Sequence, residues 1–229
     1  MKNENKPQNP TDASTVKAKT IHNLIILDES GSMQMIYRAA LTGLNETLQT
    51  IRNAEKEHES QKHFVSLIAF DSGHYNEIYN HTPAEEAIDI TEEQYRPDGC
   101  TPLYDAMGQA INSLRDKVAK EDTVLVTIIT DGMENASREY NGKAIKALVE
   151  AMRAEGWVFT YIGANQDVEA VSKSMSISNC LAFDANEDST RKMFAKELRS
   201  RNHLYCKLEA NVPKEDLNDN YFVDIDSDC

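Results

Sequence analysis

Apolar runs along this chain alternate with segments in which apolar residues recur at helical spacing. The first apolar run is Ile21–Leu27, and its continuous Leu24–Leu27 stretch is typical of a strand buried on both faces. Met33 to about Glu57 follows with apolar residues at helical spacing and is predicted to be a helix. Repetition of this order predicts a doubly wound α/β fold, with a mostly parallel central sheet and helices on both faces.

A departure from strict alternation follows the second predicted strand, Phe64–Phe70. Asp71-Ser72-Gly73 is typical of a tight turn into a further strand at His74–Asn80, which indicates an antiparallel hairpin at the sheet edge. A long irregular segment, Pro83–Pro102, then precedes a helix that begins near Leu103. Loops of this length often carry functional residues.

The second half of the chain repeats the order of strand and helix. Val124–Thr130 is rich in β-branched residues and is predicted to lie at the centre of the sheet. The remaining elements are predicted to be a helix that Gly156 ends, a strand, a short helix, a short strand and a last helix. In that order they are centred on Ile145–Met152, Trp157–Ile162, Asp167–Ser174, Cys180–Phe183 and Met193–Leu198.

The 229 residues are enough for one domain with tails at both ends. Residues 1–20 are polar without periodicity and are predicted to be a disordered N-terminal segment. Residues 21–202 would form the domain, and residues 203–229 an acidic, mobile C-terminal tail. The four cysteines are widely scattered, which favours free thiols and leaves a disulfide open for an exported chain; they are Cys100, Cys180, Cys206 and Cys229.

The charge balance limits the classes of partner that the chain is expected to bind. Lys and Arg number 24 against 38 Asp and Glu, which gives a formal net charge of −14. Nucleic acid is therefore not expected as a partner, because phosphate binding depends on positive charge. No apolar run approaches the roughly 20 residues that span a bilayer, and the start has no secretion-signal pattern, so we expect no membrane partner and a cytoplasmic location.

Three segments place oxygen-bearing side chains after strand ends or at the end of the long loop. Asp28, Ser30 and Ser32 follow the first strand, Thr101 precedes a helix, and Asp131 follows the central strand Val124–Thr130. Open α/β sheets bind ligands at the carboxyl ends of their strands, so these side chains are expected to converge. Two carboxylates and three hydroxyls are hard oxygen donors, which suit Mg²⁺ or Mn²⁺ and not zinc or copper.

These residues match the von Willebrand factor A (VWA) family, which the chain resembles over roughly residues 20–200. The family's metal-ion-dependent adhesion site (MIDAS) consists of D-x-S-x-S, a Thr in a later loop and an Asp after the fourth strand. The resemblance implies a metal held directly by Ser30, Ser32 and Thr101, with Asp28 and Asp131 bound directly or through water. It also implies the strand order 3-2-1-4-5-6, with one antiparallel edge strand.

The function that the resemblance implies is protein binding, not catalysis. A stand-alone intracellular module of bacterial type would engage a partner's Asp or Glu through the ion, within a multi-protein assembly. One alternative is a metal-dependent phosphatase-like hydrolase, but the position that carries its second Asp is Ser30, which cannot act as acid or base. Another is a regulatory module whose binding needs no metal.

Four acidic residues near the five candidate ligands have more ordinary interpretations. Glu29 and Glu134 lie close to ligands in sequence and are expected to be solvated. Asp71 is expected to be a turn residue. Asp105 could accept a hydrogen bond that orders the loop, although the helix dipole alone also favours an Asp in a first turn.

Overall fold

A six-stranded sheet forms the centre of the computed structural model, which describes residues 18–218 and 220–222. Eight consecutive residues are buried in β1 and again in β4. These two strands lie at the centre of the sheet because a strand with apolar side chains on both faces must be covered on both faces. The strands are β1 (Lys19–Asp28), β2 (Gln61–Phe70), β3 (Tyr75–Pro83), β4 (Thr123–Thr130), β5 (Val158–Ala164) and β6 (Asn179–Phe183).

The strand order is β3-β2-β1-β4-β5-β6, which confirms the predicted order. β1 pairs in parallel with both β2 and β4, so that Ile26 lies beside Ile68 on one side and Ile128 on the other. β3 alone of these six strands runs antiparallel, as the hairpin pattern predicted. The order in which strands are added to the sheet therefore changes direction between the parallel strands β1 and β4, and their carboxyl ends are neighbours at one edge of the sheet.

Helices cover both faces of the sheet. The face with α1 and α5 buries Ile25, Leu27 and Val65, and the face with α2, α3 and α4 buries Leu24, Ile26 and Val126, as alternation along a strand requires. The helices are α1 (Tyr37–Glu57), α2 (Leu103–Arg115), α3 (Gly142–Ala154), α4 (Val168–Ser174), α5 (Glu187–Glu209) and α6 (Lys214–Leu217).

Gly43 allows α1 and α5 to pack closely. A Cβ on Gly43 would lie 2.2 Å from the ring of Phe194, a distance that real side chains do not tolerate. Gly43 lies within α1, where glycine costs helix stability, and here it makes room for an aromatic ring. The first predicted helix also differs at its start, because a 3₁₀ helix at Gly31–Met35 precedes α1.

The end of the domain lies later in the chain than residue 202. That boundary falls inside α5, which continues to Glu209. Leu204, Tyr205 and Leu208 are buried, and so are Leu217 and Tyr221 beyond the helix. Helical spacing continues past residue 202, but the polar composition concealed it. The prediction for residues 1–17 lies outside the described residues, and so does that for residues 223–229.

The long loop after β3 is anchored in the core. A three-residue 3₁₀ helix, Ala84–Glu86, interrupts the predicted irregular segment, and Tyr95 is fully buried.

Among the described cysteines, Cys100 and Cys180 are free, but Cys206 is disulfide-bonded, so free thiols were the wrong prediction for Cys206. Across residues 18–218 and 220–222, no helix is long and apolar enough to cross a membrane.

Candidate metal centre

The five predicted ligands lie at the carboxyl edge of the sheet. Asp28 is the last residue of β1, and Asp131 directly follows β4, the neighbouring parallel strand. Ser30 and Ser32 lie at the start of the 3₁₀ helix, and Thr101 comes just before α2. Residues that are up to 103 positions apart in the sequence are thus brought to one place by strand pairing.

Short distances connect three of these side chains. Ser30 Oγ lies 3.2 Å from Ser32 Oγ. Ser32 Oγ donates a 2.5 Å hydrogen bond to Oδ1 of Asp131. The two serines of the first segment and the carboxylate after β4 therefore form one contiguous polar group.

The position of Gly132 connects the remaining oxygens to this group. An ideal Cβ on Gly132 would lie 3.0 Å from Oγ1 of Thr101. The same point is 3.5 Å from Ser32 Oγ and 3.6 Å from Asp28 Oδ2. Oxygens from three separate segments therefore face a single point, which a side chain at residue 132 would fill.

Asp28 is held in place by bonds at both carboxylate oxygens. Its Oδ1 accepts a 2.7 Å hydrogen bond from the backbone N–H of Ser30, and its Oδ2 accepts one of 2.6 Å from the hydroxyl of Thr130. The phenol of Tyr95 donates to the backbone carbonyl of Asp28 at 3.0 Å. Sequence reasoning missed Thr130 and Tyr95, because their roles depend on the register of β4 against β1 and on the path of the long loop.

Both carboxylates of the site are buried, and burial makes their negative charge costly. Burial raises the pKa of Asp28 to about 6, against the hydrogen bonds from Thr130 and Ser30, and the charge of Asp131 raises it further. Burial likewise raises the pKa of Asp131, against the hydrogen bond from Ser32. Two carboxylates in this setting are stabilised in their charged form by a nearby cation.

Acidic side chains hold the loops around the site in place through hydrogen bonds. Glu29 is only 5% exposed and accepts a hydrogen bond from the backbone N–H of Arg96, and the Glu29 carbonyl accepts one of 2.8 Å from Asp98 N–H. Glu134 accepts four hydrogen bonds, from Tyr104 N–H, Ala136 N–H and both the N–H and hydroxyl of Ser137. The prediction that Glu29 is solvated was therefore wrong, whereas Glu134 is partly exposed and also bonded to the loops around it.

Asp105 and Asp71 have the ordinary roles that the sequence indicated. The carboxylate of Asp105 accepts hydrogen bonds of 2.7 to 2.9 Å from three consecutive backbone N–H groups, those of residues 138–140. Asp71 Oδ1 accepts from the N–H groups of Gly73 and His74, as expected of a turn residue. Neither carboxylate belongs to the group of oxygens around Gly132.

Asn135 fixes the backbone next to Thr101. Its side-chain oxygen accepts a 2.9 Å hydrogen bond from Thr101 N–H, and its own N–H donates to the Thr101 carbonyl at 3.1 Å. This reciprocal pair sets the direction of the threonine side chain toward the point beside Gly132. No local sequence pattern joins residues 101 and 135, so only the fold revealed the pair.

The chemistry of the donors suits one class of ion. Two carboxylates and three hydroxyls offer only oxygen, the ligand type that Mg²⁺ and Mn²⁺ prefer. Within residues 18–218 and 220–222, no group of three or more His, Cys, Asp or Glu side chains could hold a metal ion.

Comparison with solved structures places the fold among VWA domains. A point mutant of the PilB minor pilin from Streptococcus sanguinis superposes with a TM-score of 0.56 at 14% identity, over 90% of this chain and 65% of the pilin. The von Willebrand factor type A protein from Catenulispora acidiphila gives 0.52 at 16% identity, over 80% and 43%. The vWF domain of the type V pili tip protein Mfa5 from Porphyromonas gingivalis gives 0.56 at 8% identity, over 81% and 96%.

These identities establish a shared fold and nothing narrower. The chain spans 65% or less of the pilin and of the Catenulispora protein, so those proteins contain further parts. No protein-family profile matches the sequence, and no curated protein sequence matches it. The α/β VWA-like architecture therefore stands on structure, at the level of the fold.

Proposed function

We propose that this chain is a metal-dependent protein-binding module. The observation that supports this proposal most directly is the arrangement of three oxygens. Those of Asp28, Ser32 and Thr101 come from three different segments and face a single point beside Gly132. Ser30 and Asp131 adjoin this group through hydrogen-bonding distances of 3.2 and 2.5 Å to Ser32. These five residues would hold Mg²⁺ or Mn²⁺, and the bound ion would supply a positive charge for an incoming carboxylate.

The partner class follows from the charges of the donors. Three of the five side chains are neutral hydroxyls, so the ion would retain an attraction for a further anionic ligand. Ser32 is exposed, whereas the other four residues are at most 3% exposed, so access from solvent is on the Ser32 side. An Asp or Glu side chain on the surface of another protein is the ligand that fits, within a multi-protein assembly.

A binding role is better supported than hydrolysis. The position two residues after Asp28 is Ser30, whose hydroxyl does not titrate near neutral pH and so cannot serve as the general acid or base. The solved structures that share the fold include a minor pilin and a pilus tip domain, which are not named as enzymes. The cytoplasmic location predicted from the sequence stays a prediction.

Filling the point beside Gly132 tests the proposal without removing any ligand. The backbone of Gly132 is not left-handed, so an alanine there is not strained, but its methyl would crowd Thr101 Oγ1 at 3.0 Å. We expect Gly132→Ala to fold and to lose Mn²⁺ binding, measured by electron paramagnetic resonance and by calorimetry. Gly31→Ala is the matched control, because the nearest atoms to its Cβ would be backbone atoms of Gly99 and Asp98, at the ordinary contact distances of 3.5 to 4.0 Å.

Retained Mn²⁺ affinity in a folded Gly132→Ala protein would contradict the proposed site.

A second experiment tests whether partner binding depends on the metal ion. Proteins captured by the wild-type chain in Mg²⁺ should be lost both in EDTA and with Asp131→Ala. Capture that survives both changes would favour metal-independent binding, and Mg²⁺-dependent turnover of a phosphate ester that Asp28→Ala abolishes would favour the hydrolase.

A further inference from the structure

Two exposed methionines border the candidate metal centre. Among the described residues, the large hydrophobic side chains left exposed are Met35 at 76%, Ile88 at 65% and Met133 at 62%. Single exposed apolar residues are common on protein surfaces, but two of these three belong to the segments that carry the ligands. Their placement is therefore a local feature of the site.

Helix geometry and chain continuity bring both methionines to the site. Met35 lies three residues after Ser32 in the 3₁₀ helix, and side chains three apart in such a helix eclipse one another. Met35 is therefore on the same side as Ser32, the exposed residue of the group. Met133 directly follows Gly132, the residue that the ligand oxygens surround. We call Met35 and Met133 the methionine rim.

The backbone on both sides of Met35 is held in the core. Met33 is fully buried and Ile36 is 1% exposed, so the chain is anchored before and after the exposed side chain. The side chain of Gln34 donates a 2.7 Å hydrogen bond to the carbonyl of Pro97. Met35 is consequently presented to solvent by a fixed backbone.

Met133 is fixed in the same way. The carbonyl of Gly132 accepts a 3.2 Å hydrogen bond from the side chain of Gln166. On the other side, the carboxylate of Glu134 accepts the four hydrogen bonds described above. The chain next to each methionine is therefore held in place, and both side chains are exposed at the surface.

We propose that the methionine rim selects a partner segment in which an Asp or Glu is adjacent to a large apolar residue. This inference rests on the proposed function, because the carboxylate at the ion brings its neighbours in sequence onto the rim. Methionine side chains are flexible and polarisable, so they suit leucine, isoleucine or phenylalanine in more than one orientation.

The overall charge makes such apolar contacts necessary. At a net charge of −14, the chain does not attract an acidic partner over long distances. Affinity must then come from short-range contacts, which are the ion itself and burial of apolar surface beside it. A segment with only acidic and polar residues would gain the first contact and not the second.

Selection from random linear peptides displayed on phage tests the specificity. The baits are the wild-type chain in Mg²⁺, the wild-type chain in EDTA, Met35→Gln/Met133→Gln in Mg²⁺, and Ile88→Gln in Mg²⁺. Ile88 is a matched control because it is equally exposed, while its carbonyl bonds to Tyr79, outside the site. The most enriched peptide, carrying a fluorescent label, then gives dissociation constants for each bait.

We expect the wild-type chain and Ile88→Gln to enrich an acidic residue next to a large apolar one, only in Mg²⁺. The double methionine variant should keep the acidic preference, lose the apolar one, and bind the labelled peptide about tenfold more weakly. Its Mn²⁺ affinity should equal that of the wild-type chain.

The outcomes separate the two proposals. The peptides selected in Mg²⁺ could carry an acidic residue without an apolar neighbour, or the double variant could select the same apolar neighbour as the wild-type chain. Either result would overturn the methionine rim and leave the proposed function standing. Apolar peptides selected equally in EDTA, and lost in the double variant, would overturn both proposals, because the methionines would then bind without a carboxylate at the ion. Selection of no common motif by any bait would overturn both.

Discussion

The hydroxyl of Thr130 donates a 2.6 Å hydrogen bond to Oδ2 of Asp28, across the two central strands of the sheet. Both residues are fully buried, and 102 positions separate them in the sequence. The same hydroxyl oxygen accepts a 3.1 Å bond from Gly132 N–H. One threonine thus orients a candidate ligand and the backbone of the glycine at the centre of the site.

Replacing Thr130 by valine should weaken the site while keeping the shape of the side chain. The change leaves an oxygen of Asp28 and the N–H of Gly132 without their bonds, which should cost about 1–3 kcal/mol of stability. Mn²⁺ affinity should fall roughly tenfold, as is typical when the partner of a metal ligand is lost. Calorimetric titration with Mn²⁺ and thermal unfolding measure the two effects.

The matched control is Thr123→Val, at the opposite end of the same strand. Thr123 is 4% exposed and lies beside Ile21, far along β4 from the ligands. We expect this variant to bind Mn²⁺ like the wild-type chain. Equal Mn²⁺ affinities for Thr130→Val and the wild type would show that Thr130 does not orient Asp28.

A buried arginine joins α5 to the centre of the sheet. Arg201 is fully buried and donates 2.9 Å hydrogen bonds to Glu197, to Asn23 of β1 and to Thr127 of β4. Arg201→Met should cost about 3–5 kcal/mol, because it leaves the buried carboxylate of Glu197 without its cation. Urea unfolding measures the loss.

A double variant separates the cost of a lost pair from the cost of an unpaired charge. Arg201→Met/Glu197→Leu removes both charged groups, so it should be more stable than Arg201→Met alone. If the double variant were instead less stable by the sum of the two single losses, the pair would act through independent packing contacts. The single variant Glu197→Leu completes the cycle.

His63 should make the fold less stable in mild acid. Burial lowers the pKa of His63 to about 3, and the charges of His58 and Arg201 act in the same direction. In the unfolded chain a histidine has a pKa of about 6.5, so below that pH the unfolded state takes up a proton that the folded state refuses. The contribution of His63 to the free energy of unfolding is fully present above about pH 6.5 and is lost as the pH falls toward 3.

The expected size of the effect is about 2 kcal/mol between pH 7 and pH 5. His63→Gln should remove this part of the pH dependence, so urea unfolding of both proteins at the two pH values isolates it. At pH 8, where the histidine is neutral in both states, the difference between the two proteins reports the packing of the side chain and its hydrogen bond with Gln61. Parallel pH profiles for the two proteins would refute the prediction.

The parts of this protein that the sequence predicted are those that depend on local pattern. The apolar run before Asp28 and the β-branched run before Asp131 specified two buried strands, and strand ends in parallel sheets lie together. The resemblance to the VWA family supplied the strand order, and the structure confirms it. The five candidate ligands were named from the same pattern, and their oxygens lie around one region.

The parts that the sequence missed depend on contacts between distant segments. The polar end of α5 beyond residue 202 resembled a tail, but Tyr205 is fully buried there and donates a 2.6 Å hydrogen bond to Asn23 of β1. Glu29 and Glu134 resembled solvated residues, yet each accepts backbone N–H groups from a loop that comes to it only after folding.

By itself, the sequence determined the strands, the helices and the types of oxygen at the carboxyl edge, because hydrophobic period and strand ends are local properties. The tertiary structure alone decided which polar groups are buried, that Thr130 and Asn135 orient the candidate ligands, and that Met35 and Met133 face solvent. The physical reason is that a polar group's environment is set by whatever packs against it, and residues far away in the sequence supply those neighbours.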